Sequence, residues 1–263
     1  MLLAGGLTAR HALAQSVDPP SPPPAATTVD QKLPIDQRVD RKPDFGIKHL
    51  FGDTFSDFRR LRADNSLTFL VIGGALAATA HNYDSSATAQ IAGNSPGRSG
   101  YVPGSIIGGA TFQFGAALAT YSVGRLSGNT RAAEVGSHLI RAQLVAQGVT
   151  HAVKYSVKRM RPDGSARNSF PSGHTSVSFA SATVLQREFG WKVGIPAYAV
   201  ASYIGYSRIE HKRHYLSDVV FGAAIGIVAG RSVTIGRGDK RFAMTPVAAR
   251  GGGGVSFAWV GQR

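Results

Sequence analysis

The sequence predicts an all-α protein, a bundle of about six helices, and three observations carry that prediction. Apolar stretches of helical length recur through the middle of the chain, they are rich in Ala and Gly, and the one stretch that alternates as a strand does lies at the C-terminal end. At 263 residues the chain is long enough for one domain with a sizeable core plus tails.

From the start, Met1–Gln15 has an apolar opening and an Ala-x-Ala ending at Ala12 and Ala14, as export signals do, although no positive region leads it and Arg10 interrupts the apolar run. Residues 1–14 are therefore expected to be a shortened export signal cleaved after Ala14, which would make the protein periplasmic; an ordinary tail is the alternative. The absence of Cys is neutral on this point. Residues 15–44 hold seven of the thirteen prolines and read as an extended linker. Over 45–62, Phe45, Leu50, Phe51, Phe55, Phe58 and Leu61 interleave with Lys48, Asp53 and three arginines, the spacing of an amphipathic helix broken near Gly52. It suits a membrane interface and packing on the domain equally well.

The main domain is expected over 63–235. Its helices are Leu67–Ala80, Ser105–Val123 after a Gly/Ser/Pro-rich loop at 93–104, Ala132–Lys158, Thr175–Gln186, Val193–Tyr206 and Ser217–Ile235. A bilayer span wants about twenty apolar residues. Only Ser105–Val123 nears that length, and it contains Gln113; the other runs are shorter or carry charges such as Glu134, Arg141 and Arg231. Against the low mean hydropathy of −0.04, Gly222, Gly226 and Gly230 form a close-packing stripe of the kind found between membrane helices and in tight soluble bundles. The expectation is a membrane-associated or weakly embedded bundle. Residues 236–263 form a Gly-rich tail or, from the alternation of Val255, Phe257 and Trp259, a short hairpin.

A formal net charge of +14 and a pI near 10.5 favour anionic partners. No nucleic-acid motif accompanies the charge, so an anionic membrane surface is the expected partner and nucleic acid is not.

Chemistry concentrates between Lys154 and Asp218. Lys154 and Arg161 lie seven residues apart, which on a helix places both on one face, and Pro162 then stops the helix. An Arg fork and a Lys point charge suit a tetrahedral oxyanion, although this block alone reads more readily as a solvated basic face containing Lys158 and Arg159. Ser169-Phe-Pro-Ser-Gly-His174 precedes an apolar run and so reads as a helix start. There, unpaired N–H groups, the dipole, Gly173 and the Ser172 hydroxyl can cradle an anion beside His174, a proton donor titrating near neutrality. In the third block His214 and Asp218 stand at i, i+4, neighbours on a helix, where the carboxylate can fix the ring tautomer; Arg208 adds a third cation. His211, His214 and Asp218 are also metal-ligand types, but three adjacent cations and the lack of Cys argue against a metal, and none is expected.

The joint pattern, Lys154, Arg161, Pro162, then Pro171, Ser172, Gly173, His174, then Ser207, Arg208, His214 and Asp218, resembles the signature of the type 2 phosphatidic acid phosphatase superfamily, which includes vanadium haloperoxidases. The resemblance implies a metal-independent phosphatase with no cofactor, acting on a phosphorylated lipid or small phosphate ester. In it His214, oriented by Asp218, attacks phosphorus and becomes a phosphohistidine, and His174 protonates the leaving group. Lys154, Arg161, Ser172, Gly173 and Arg208 bind the phosphate. Phosphatidate, polyprenyl diphosphate and lipid A all carry a suitable oxyanion. Three alternatives stand beside this reading: a soluble periplasmic acid phosphatase of broad specificity, a vanadium haloperoxidase with vanadate on His214, and a non-catalytic anionic-lipid-binding protein.

Overall fold

The computed structural model describes residues 47–61, 66–93, 102–234, 241–249 and 252–260. The expected export signal at 1–14 and the linker at 15–44 lie outside the described residues. In chain order the elements are α1 (Ile47–Arg60), α2 (Ser66–His81), α3 (Asp84–Gly93), α4 (Val102–Ile107), α5 (Ala110–Leu126), α6 (Thr130–Val157), α7 (Gly173–Phe189), α8 (Trp191–Glu210), α9 (Leu216–Val233), β1 (Arg241–Ala249) and β2 (Gly252–Val260). The strands pair antiparallel, with Arg241 opposite Val260 and Ala249 opposite Gly252, which makes the C-terminal end a hairpin.

The fold is all-α apart from that hairpin, and the expected helices are present, but the described residues hold nine helices rather than about six. One addition is α3, begun by Asp84 directly after α2. Another comes from Ser105–Val123, which the structure divides at Gly108–Gly109. A Cβ on Gly108 would lie 2.3 Å from Ile204 Cγ2, so this corner is pressed onto α8 closely enough to exclude any side chain. The ninth is α1, the helix expected over 45–62 outside the bundle, and it runs unbroken through Gly52. It packs on the domain: Arg141 of α6 donates Nε and Nη2 to the buried Asp57 carboxylate, both at 2.8 Å. A bidentate ion pair of this kind fixes orientation as well as position.

The bundle is built around α6, α7 and α9, with α5 and α2 against its flanks and α8 against α7. Its core joins Tyr121 of α5, Leu139, Ile140 and Val145 of α6, Ala180 and Val184 of α7, and Ile225, Ala229 and Val233 of α9. The glycine stripe explains the closeness of α9 to α7. A Cβ on Gly226 would stand 2.3 Å from Ser176 O, and one on Gly222 would stand 2.7 Å from Ser172 O. Among the described helices only α9 has the length and apolarity to cross a bilayer, and 56% of it is buried inside the bundle. Ser105–Val123, expected to come nearest, is two shorter pieces.

Candidate active site

One end of the bundle gathers the C-terminal ends of α6 and α8 and the N-terminal ends of α7 and α9. Lys154 sits in the last turn of α6 and Arg208 in that of α8, while Asp218 lies in the first turn of α9. Each charge complements the dipole of its own helix end.

At the end of α6, Lys158 takes a left-handed conformation with φ 50° and turns the chain off the helix axis. Arg161 therefore does not share a helix face with Lys154, as its spacing predicted; it stands in the loop that follows. That loop is pinned by Arg161 N–H to Ala166 O at 3.0 Å and by Asp163 N–H to Lys212 O at 3.1 Å, which tie it to the segment before His214. Lys154 and Arg161 still reach the same cavity, of about 450 Å³, with Gly173, His174 and His214 also in its wall.

Burial and the nearby Arg161 lower the Lys154 ammonium to about 8, and the group donates to Asn168 O at 2.5 Å. Burial and the cations Arg213 and Arg161 lower Arg208 to about 10, so it stays charged at neutral pH. Arg208 Nη1 donates to Ser105 Oγ at 2.7 Å. The Nε–H groups of Arg161 and Arg208 are buried without a hydrogen-bond partner. Buried donors left unpaired are costly, and an oxyanion bound between them offers acceptors.

Ser172 caps α7: its Oγ accepts from Thr175 Oγ1 at 2.9 Å and, weakly, from Thr175 N at 3.5 Å. Its own N–H is spent on Asp218 O at 3.0 Å, so the amides open to an anion at this helix start are those of Gly173 and His174 rather than of Ser172. Burial, then Arg208 and His214, lower the His174 imidazole to about 4.

His214 and Asp218 are not partners on one helical face, because α9 begins only at Leu216 and His214 precedes it. The ring is 3% exposed, and its Nδ1 lies 2.6 Å from Ser169 O but 3.6 Å from Asp218 Oδ2. A carbonyl can only accept, so Nδ1 carries the proton and Nε2 is left with its lone pair on a ring that lines the cavity. Burial lowers the pKa of His214 even with Asp218 nearby, which keeps the ring neutral.

Asp218 acts one step back. Its Oδ2 accepts from the Ser169 hydroxyl and from Tyr215 N–H at 2.9 Å, and Oδ1 accepts from Arg159 Nη1 at 2.7 Å. Burial alone would raise its pKa, but His214, Ser169, the Tyr215 amide and Arg159 hold it below the usual carboxylate range.

Sequence reasoning missed Ser169, Arg159, Ser105 and His151, the last of which lines the cavity together with Lys158 and Arg167. Arg159 is no solvated basic residue; its guanidinium is fixed by two carboxylates, Asp218 and Asp84. No cluster of metal-ligating side chains occurs among the described residues.

Two histidines at a cation-lined cavity, one with a fixed tautomer, form a site suited to a tetrahedral oxyanion. Residues 136–241 match the model of the PAP2 superfamily. The chain is 50% identical over 86 residues to the lipid A 1-phosphatase of Porphyromonas gingivalis, an alignment covering 32% of this chain and 19% of that protein. It is 28% identical over 135 residues to the lipid A 4'-phosphatase of Helicobacter pylori, covering 44% and 68%. The chain thus spans about a fifth of the length of the first relative. In fold it is similar to a transmembrane PAP2-type phosphatidylglycerolphosphate phosphatase of Bacillus subtilis, with a TM-score of 0.55 at 18% identity over 64% of this chain and 94% of that one.

Proposed function

We propose that the protein is a metal-independent phosphatase acting on the phosphate of a lipid at a membrane, through a phosphohistidine on His214. The observation that carries this reading is the Nδ1–H of His214 held on Ser169 O, with Nε2 free on a cavity wall that also holds Lys154, Arg161 and His174.

Lys154, Arg161 and Arg208 bind the phosphate oxygens, together with the first amides of α7, and neutralise charge that builds in the transition state. His214 Nε2 attacks phosphorus in line; the Nε2–P bond forms as the bond to the leaving oxygen breaks. His174 gives its proton to that oxygen, then takes one from the water that attacks the phosphohistidine and releases inorganic phosphate. Burial first and then Arg208 disfavour the imidazolium, and the bound anion offsets the Arg208 charge, so substrate binding favours the protonated ring.

Membrane association rests on large apolar side chains left facing outward: Leu67, Val71 and Leu76 of α2, Phe112 and Leu118 of α5, Trp191 and Ile195 of α8. Because two relatives are named as lipid A phosphatases, lipid A is the substrate to test first, ahead of phosphatidate and polyprenyl diphosphate.

Phosphate release from these three lipids and from a small chromogenic monoester, with EDTA present, tests the reading. Turnover on a lipid that survives EDTA and disappears in His214→Ala is expected. Equal rates on the soluble monoester would favour the broad-specificity acid phosphatase, and no turnover on any substrate by folded protein would refute the phosphatase.

A further inference from the structure

The corner between α2 and α3 lies outside the segment that matches the superfamily, yet it reaches the back of the site. Asp84, the first residue of α3, is 3% exposed and makes contact with three groups around His214 and Asp218. Its Oδ1 accepts from Ser217 N–H at 2.8 Å, and its Oδ2 accepts from Ser217 Oγ and from Arg159 Nη2, both at 2.7 Å. Arg159 spends its other terminal nitrogen on Asp218 Oδ1 and Ser217 Oγ, both at 2.7 Å, and lies over the Tyr215 ring with its carbon 4.1 Å from the centroid. The Arg159 carbonyl meanwhile accepts from Ser169 N–H at 2.9 Å. Ser169 is thus gripped from both sides, by Arg159 through its amide and by Asp218 through its hydroxyl, and its carbonyl is the group that sets the His214 tautomer.

We propose that Asp84 is a positioning residue for the reaction: through Arg159 and Ser217 it holds Asp218 and Ser169 so that His214 keeps its proton on Nδ1 and its lone pair on Nε2. Asp84 touches neither the cavity wall nor His214 and acts only through the other residues. Without its charge, Arg159 has one carboxylate instead of two, and a guanidinium free to rotate no longer fixes Asp218, whose carboxylate holds the Ser169 hydroxyl.

The proposal rests on the phosphatase reading, so its test separates the two. Asp84→Asn keeps size and the acceptor for Ser217 N–H but turns an amide N–H toward Arg159. In a lipid-phosphate assay with wild type and His214→Ala as controls, Asp84→Asn is expected to lower kcat by about 10- to 100-fold. KM and inhibition by inorganic phosphate change little, because the cavity cations are untouched. Arg159→Lys behaves likewise, and the double variant is no worse than the poorer single one, since both cut one chain of contacts. Spectra of protein labelled with 15N-histidine supply the readout independent of turnover: wild type shows His214 as the Nδ1–H tautomer, and Asp84→Asn shows a mixture. Wild-type kcat in Asp84→Asn, a parallel loss of turnover and phosphate affinity, or multiplicative losses in the double variant overturn the proposal. Should the wild type turn over no ester, the phosphatase reading fails, and the spectra alone decide: an unchanged His214 signal in Asp84→Asn overturns the proposal.

Discussion

At the scale of the residue, the proposed mechanism gives the two histidines different protonation roles. His214 is kept neutral by burial and aimed by a backbone carbonyl, whereas His174 is lowered to about 4 by burial and by Arg208. The sign of the pH dependence follows. A free enzyme needing protonated His174 loses kcat/KM as pH rises through a low value, while the bound phosphate raises that pKa, so the alkaline limb of kcat lies at higher pH than that of kcat/KM. Paired pH profiles check this; coincident limbs would remove His174 from the role of acid. The same role predicts that His174→Asn costs roughly 10²- to 10⁴-fold on an alkyl phosphate, and much less on a p-nitrophenyl ester whose leaving group needs no proton. The residue types at the site were legible in the sequence, because signature positions report them directly, but the near-neutral titration expected of His174 was not, since it is burial that lowers the ring to about 4. What was not legible depended on direction: the left-handed turn at Lys158 decides that Arg159 points inward and Arg161 toward the cavity, and no spacing rule contains that turn. Ser169 acts through its carbonyl, which every residue type possesses, so its identity carried only half the signal.

At the scale of the element, the helices read as periodic runs were found where expected, and the misses came from tertiary contact. The break at Gly108–Gly109 is imposed by Ile204 on another helix, and α3 is too short and polar to stand out from its neighbours. Close approach of α9 to α7 gives a prediction here. Gly226→Ala places a methyl 2.3 Å from Ser176 O and 2.7 Å from Phe179 Cβ, and should cost about 1–3 kcal/mol of stability, read as a lower unfolding midpoint. A midpoint equal to wild type would mean that the two helices have room to part. The ion pair of Arg141 with Asp57 anchors α1: Arg141→Ala leaves the buried Asp57 carboxylate with only the more exposed Arg60, 3.4 Å away, and should cost about 3 kcal/mol, read as a lower unfolding midpoint.

At the scale of the whole molecule, the net charge of +14 and the outward apolar faces on α2, α5 and α8 support the proposed anionic lipid surface. Lipid-phosphate turnover is therefore expected to be faster in anionic than in zwitterionic mixed micelles, with the difference shrinking as salt screens the charge. Composition exposed the charge, but only the assembled helices show which apolar residues stay outside, since helices buried all round and helices facing lipid have similar sequences. The central claim, that His214 carries the phosphoryl group, is tested most directly by rapid acid-free quenching of enzyme with a labelled lipid phosphate, followed by peptide mapping. The account predicts label that is stable to base, labile to acid, located on the peptide bearing His214, and absent from His214→Ala. Turnover without any label on His214, or labelling that persists in His214→Ala, would contradict it.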